Sequence, residues 1–137
     1  MTTTTLDFET AFAALDKIVS EVPEGYTYSP VPRGGDDAYA NERICKYAGP
    51  DNKPSCIIGQ LVNELDPSQF EKLRVAESSK RGSFGVSTAL TMAAEYDLSP
   101  ALVDALQAVQ NAQDLYKPWK RAVEEGRSEY QRALARL

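Results

Sequence analysis

Apolar residues recur at helical spacing in several stretches, separated by proline- and glycine-rich breaks. Phe8, Ala11, Phe12, Leu15, Val19 and Val22 fall on one stripe at about 100° per residue, which predicts a helix over 6–22. Pro23 and Gly25 end it. Ile58, Leu61, Val62 and Leu65 share a face of a second helix, with Ser55 as its expected cap. Asp66-Pro67-Ser68 restarts the chain for a short helix over 67–77, and a further one is expected over 86–96. Ser99-Pro100 combines a capping side chain with proline at the first helical position. Leu102, Ala105, Leu106, Val109, Ala112 and Tyr116 then mark one face. Pro118 ends that helix or opens the next. Trp119, Ala122, Val123, Tyr130, Ala133, Leu134 and Leu137 continue the helical spacing. Gly126, followed by Arg127-Ser128, is a candidate break in it.

Two stretches follow a different pattern. Tyr26 to Val31 alternates weakly and is rich in Tyr, Thr and Val, which predicts a strand, with Pro30 pushing it to an edge. Residues 42–48 (ERICKYA) predict a second strand beyond the loop at Pro32–Asp37. Such a ribbon is not stable alone and must lie on the helices. Residues 49–54 (GPDNKP) form a turn cluster and 78–85 a loop. The expected fold is therefore one mainly helical α+β domain over 1–137: about five or six helices with a small antiparallel two-stranded ribbon. Residues 1–5 are expected to fray, with Thr4 or Thr5 as a candidate N-cap, and 117–137 to form a basic helical arm.

Charge sharpens the picture. The 137 residues carry a formal net charge of −5, which makes a poor general nucleic-acid binder. The last 21 residues (117–137) hold six basic and three acidic side chains, most simply a solvated helix face on an acidic body. There is no histidine, so the usual general base near neutral pH and the commonest metal ligand are missing. Cys45 and Cys56 lack metal-knuckle spacing. No stretch reaches the ~18 apolar residues of a membrane span, and the start MTTTTLDFET does not read as a signal peptide. These features point to the cytoplasm, with reduced thiols. No cofactor is implied and no enzyme is expected.

Several residues stand out individually. On a helix starting near Ser55, Cys56 lies about 160° from Ile58, with Gly59, Gln60 and Asn63 on the same side. A thiol in a first helical turn can be acidified by the helix dipole, but a second packed face is the favoured reading. Gln113 points within about 20° of Leu102, inside the apolar stripe, so its amide needs buried partners. Cys56 and Gln113 are therefore expected to form a structural clamp tying this helix to the ribbon or to the turn before Cys56. Tyr26 and Tyr28 would share one strand face and, with the acidic Asp36 and Asp37, form a candidate partner-binding surface. Arg33 and the Lys80-Arg81-Gly82-Ser83 loop are candidate ligand-binding groups, since basic glycine loops can cradle phosphate. Neither matches a P-loop or dinucleotide fingerprint.

Two segments carry a resemblance. SCIIGQLVNEL (55–65) and QAVQNAQDLYKPWKRA (107–122) resemble short uncharacterised accessory proteins of actinobacterial phages and prophages, through Cys56, Gly59, Gln110, Gln113, Asp114 and Trp119. Pro118 and the long basic tail depart from that pattern. The resemblance implies a viral accessory setting in a bacterial cytoplasm and no established activity. The expected function is a non-enzymatic protein that binds and modulates a host bacterial protein. The alternatives are a small-ligand sponge that sequesters a nucleotide signal and, less favoured, a DNA-binding regulator using the basic helix.

Overall fold

A computed structural model of the chain describes residues 4–32, 43–44, 46–78 and 85–137. Among these are five α-helices and one π-helical segment. Helix α1 (Phe8–Ser20) is capped by Asp7, whose carboxylate accepts the Thr10 N–H at 2.8 Å, rather than by Thr4 or Thr5. Those two threonines form β1 (Thr4–Thr5) and pair in parallel with β4 (Tyr96–Asp97). The Leu6 N–H extends the pairing to the Asp97 carbonyl at 2.8 Å. The expected fraying thus does not extend to residues 4 and 5, whose backbone groups are taken up by a distant strand.

Among the described residues, the ribbon is short. In it β2 (Val31–Pro32) and β3 (Arg43–Ile44) pair antiparallel, as the sequence predicts for these two stretches. Tyr26 to Pro30 is irregular, and the chain next touches itself as a strand only at an isolated bridge between Ala48 and Pro54. The other two-stranded sheet, β1 with β4, is parallel, which corrects the purely antiparallel expectation. The fold class is therefore mainly helical with minimal sheet.

Helix α2 (Ile57–Leu65) buries Ile57, Ile58, Gly59, Leu61 and Val62. Its apolar surface reaches more than half-way round because it packs on α1, α3 and α4 at once. Helix α3 (Pro67–Ser78) follows directly, as the Asp66-Pro67-Ser68 restart predicts. The Asp66 carboxylate accepts the Ser68 N–H at 2.9 Å, which fixes the turn between the two helices. The helix expected over 86–96 is π-helical over Thr88–Ala93. It stops there because Glu95 takes a φ of 61° and Tyr96 enters β4.

Helix α4 (Pro100–Asp114) is capped by the Ser99 hydroxyl. After a tight turn with Tyr116 at φ 63°, helix α5 (Trp119–Ala135) runs without interruption. Gly126 does not break it. A Cβ there would stand 2.3 Å from Val109 Cγ2 and 3.0 Å from the Ala105 carbonyl. Glycine is present because α5 lies against α4 at that point, in the most extensive helix pairing of the fold. Phe8 stacks on Tyr130 at 4.1 Å and on Phe12 at 4.5 Å, which brings α1 onto α5.

The basic segment is accordingly no free arm. Arg127 makes a two-pronged contact with Asp16 at 2.9 and 2.7 Å and lies over the Phe12 ring. Lys117 pairs with Glu125, and Arg136 with Glu129 and Asp104. Much of its charge is thereby met within the chain. No helix among the described residues is long and apolar enough to cross a membrane.

Candidate binding groove

Cys56, Gly59, Gln110, Gln113 and Asp114 meet around the start of α2. Ile57 is the first helical residue, so its N–H has no acceptor within the helix. Cys56 occupies the cap position but makes no capping hydrogen bond from its side chain. Gln113 supplies the acceptor from α4: its Oε1 receives the Ile57 N–H at 2.7 Å, and its Nε2 donates to Asp114 at 3.0 Å. Gln113 therefore contacts the first residue of α2, just past Cys56. Cys56 is fully buried beside Gln110, and burial pushes its thiol up to about 12. Desolvation outweighs the hydrogen bonds from Gly59, Gln110 and Ile58 that favour the thiolate, and the side chain packs in the core. Gly59 permits a close backbone crossing, since a Cβ there would lie 2.1 Å from the Tyr47 carbonyl oxygen.

A second buried acceptor was not singled out from sequence. Glu77 on α3 is 4% exposed. Its two carboxylate oxygens accept the Tyr47 and Ala48 N–H groups at 2.8 and 3.0 Å. Burial raises its pKa above the ordinary carboxylate value, and these two bonds oppose the rise. The signal was present: Glu77 follows Phe70 and Leu73 on the buried stripe of α3. Gln113 and Glu77 together hold the segment before α2 against the core. Those residue types could suggest chemistry, but both are occupied by backbone donors.

The tyrosines behave differently from the strand-face expectation. Tyr28 is buried, with its hydroxyl 2.6 Å from the Ser55 hydroxyl. Ser55 is thus engaged by Tyr28, and Cys56 takes the cap position of α2. Tyr26 is half-buried and meets Trp119 edge-on at 4.8 Å. Its carbonyl accepts the Trp119 backbone N–H at 3.0 Å, which joins the chain after α1 to the start of α5. The two tyrosines are not an exposed strand patch. They are wall and floor of a groove.

Three adjoining hollows all border on Tyr26. One of 240 Å³ lies between the end of α1 and the start of α5, beside Pro23, Glu24 and Lys120. One of 310 Å³ lies between α1 and α2, beside Glu21, Gln60, Asn63, Glu64 and Trp119. One of 460 Å³ lies beside Tyr28, Val31, Asp51, Pro54 and Gln60. Trp119 is shared by the first two and Gln60 by the last two. Four carboxylates (Glu21, Glu24, Asp51, Glu64) line the hollows against one cation, Lys120, among the described residues. Glu64 is paired with Lys17 of α1 at 2.8 Å.

Arg33, Asp36, Asp37, Lys80, Arg81 and Cys45 lie outside the described residues. Among the described residues, no three Cys, Asp or Glu side chains are gathered closely enough to hold a metal ion. Compared with protein-family models, curated proteins and solved structures, the chain matches none.

Proposed function

We propose that this chain is a non-enzymatic accessory protein that binds and modulates a host bacterial protein, by docking a basic segment of it in the groove around Tyr26. The observation that supports this reading is the groove's chemistry: a half-buried tyrosine at the meeting point of three hollows, lined by four carboxylates and one lysine. Tyrosine gives apolar area with a polar tip, and acidic walls select a cationic partner and speed its approach. The setting rests on the resemblance to phage accessory proteins. The same carboxylates disfavour an anionic ligand such as a nucleotide in this groove.

The test is a pull-down from an actinobacterial lysate with wild-type, Tyr26→Ala and Glu21→Lys proteins, followed by titration of the purified captured protein. A stoichiometric partner that binds at least tenfold more weakly to both variants, and more weakly still at high salt, is expected. Circular dichroism melts establish that the variants fold. A partner indifferent to both substitutions, or a released nucleotide with no protein, overturns the reading.

A further inference from the structure

We infer that the turn between α4 and α5 is a self-association surface: two copies of the chain meet about a two-fold axis, each laying Leu115 and Tyr116 against the groove around Tyr26 of the other. This association needs no host protein, although a second copy and a host segment would occupy the same groove.

Helix α4 closes with two backbone bonds. The Tyr116 N–H donates to the Gln113 carbonyl at 2.9 Å, and the Lys117 N–H to the Ala112 carbonyl at 3.1 Å. This double closure puts the residue after the cap in the left-handed region, where glycine is the usual occupant. Here a tyrosine takes a φ of 63°. A bulky residue in that conformation strains the backbone, and buried packing of its side chain could offset the strain. Tyr116 has little such packing: it is 62% exposed, and the preceding Leu115 is 69% exposed. The chain thus holds an aromatic ring in a strained position and presents it to solvent beside a leucine. Within one copy this gains nothing. Against a second surface it supplies apolar area with a polar tip at the centre of a contact.

The flanking charges select the partner. Lys120 and Arg121, in the first turn of α5, are exposed and form no ion pair among the described residues. Their neighbours on that helix differ, since Arg127, Arg132 and Arg136 all hold carboxylates. On the groove side, Glu21 and Glu24 follow the end of α1, and they too are exposed and in no ion pair among the described residues. Lys120 and Glu24 even line one hollow without bonding to each other. The Trp119 N–H on the Tyr26 carbonyl ties the turn to the groove. One end of the molecule therefore carries an apolar pair with two free cations next to a groove with two free carboxylates. Adjacent patches of opposite charge on one face are matched twice over by a two-fold axis. A polyanion fits this end less well, because Glu21, Glu24 and Asp114 are exposed there and the chain's net charge is −5.

The test is sedimentation equilibrium of the full chain from about 1 µM to about 1 mM, a span that reaches the weak association of a small interface. Wild type is expected to pass from monomer to dimer within it. Tyr116→Gly should weaken the dimer at least about tenfold. The same variant should melt no lower than monomeric wild type, because glycine relieves the strained position. Charge reversal gives a readout that a purely structural role would not move. Lys120→Glu with Arg121→Glu, and Glu21→Lys with Glu24→Lys, should each be monomeric alone. Their equimolar mixture should regain the dimer, since every turn then faces a groove of opposite charge. Wild type that stays monomeric throughout overturns the inference, and so does such a monomer binding anionic vesicles through Tyr116. A Tyr116→Gly protein that dimerises like wild type, or a mixture no more associated than its parts, overturns it too. The host reading is judged separately. A monomeric wild type that captures a Tyr26-dependent host protein overturns self-association alone, and a Tyr116-dependent dimer with no such host protein overturns the host reading alone.

Discussion

At the scale of single residues, the determining interactions are side chains that satisfy backbone donors far away in sequence. Gln113 supplies an acceptor to the first N–H of α2, a role that a local Ser or Asp cap fills in most helices. Replacing Gln113 with leucine keeps the volume but leaves the Ile57 N–H buried and unpaired. A loss of about 1–3 kcal/mol in a denaturant titration is expected, and a midpoint equal to wild type would exclude the clamp. Gln113 was legible because an amide in an apolar stripe has few explanations. Glu77 obeys the same logic, yet with exposed Glu71, Lys72 and Val75 nearby on the same helix it does not stand out in the sequence. Tyr26 was legible as a residue of interest, but its setting was not. Its ring partner Trp119 comes from α5 and the hollows beside it are lined from α2, and no local pattern links them.

At the scale of elements, the helices were legible wherever a stripe of one period ran between strong stops. Ser99-Pro100 and Pro23 with Gly25 are such stops, and α4 and α1 begin and end close to them. The strands were legible in part: the antiparallel pairing of Val31 with Ile44 falls within the two expected stretches, whereas β1 and β4 are two residues each and period-two alternation needs more residues than that to register. Gly126 shows how a local rule is overridden by packing. Read alone it weakens a helix by about 1 kcal/mol relative to alanine, whereas in the α4–α5 contact it leaves room that a methyl would invade. Gly126→Ala should therefore destabilise the protein, despite its better propensity, by about 1–3 kcal/mol from overpacking against Val109 and Phe12. A thermal melt in which the alanine variant is more stable than the parent would refute this.

At the scale of the whole molecule, ionisable groups shifted by burial or by hydrogen bonds make stability depend on pH. The Cys56 thiol is pushed from 9.0 up to about 12 and the Tyr96 phenol from 10.0 up to about 12, burial being the main cause for both. The folded state thus keeps protons that the unfolded state releases above pH 9. Stability from the thiol is complete below 9 and is lost as pH rises toward about 12, by at most about 1.4 kcal/mol per pH unit. On the acid side, Asp66 and Glu129 are lowered by their hydrogen-bonding partners, Ser68 and Arg136 first, so their contribution is present at neutral pH and lost as pH falls. Glu77, raised by burial, opposes that trend, being easiest to bury when protonated. Melting temperatures of Cys56→Ala should fall less between pH 7 and pH 10 than those of wild type. Parallel slopes in the two proteins would show that the thiol is not what titrates.

The parallel pairing of β1 with β4 has a consequence for assembly. The α4–α5 hairpin joins neighbours in sequence and can close early, whereas Thr4 and Thr5 must find Tyr96 and Asp97 across most of the chain. Closing so long a loop costs entropy before two residue pairs return anything. The chain therefore fastens its beginning last, after the helices have built the surface that receives it. The same short seam is the first to come undone when the molecule loosens, releasing residues 4–6 while the helical body stays packed.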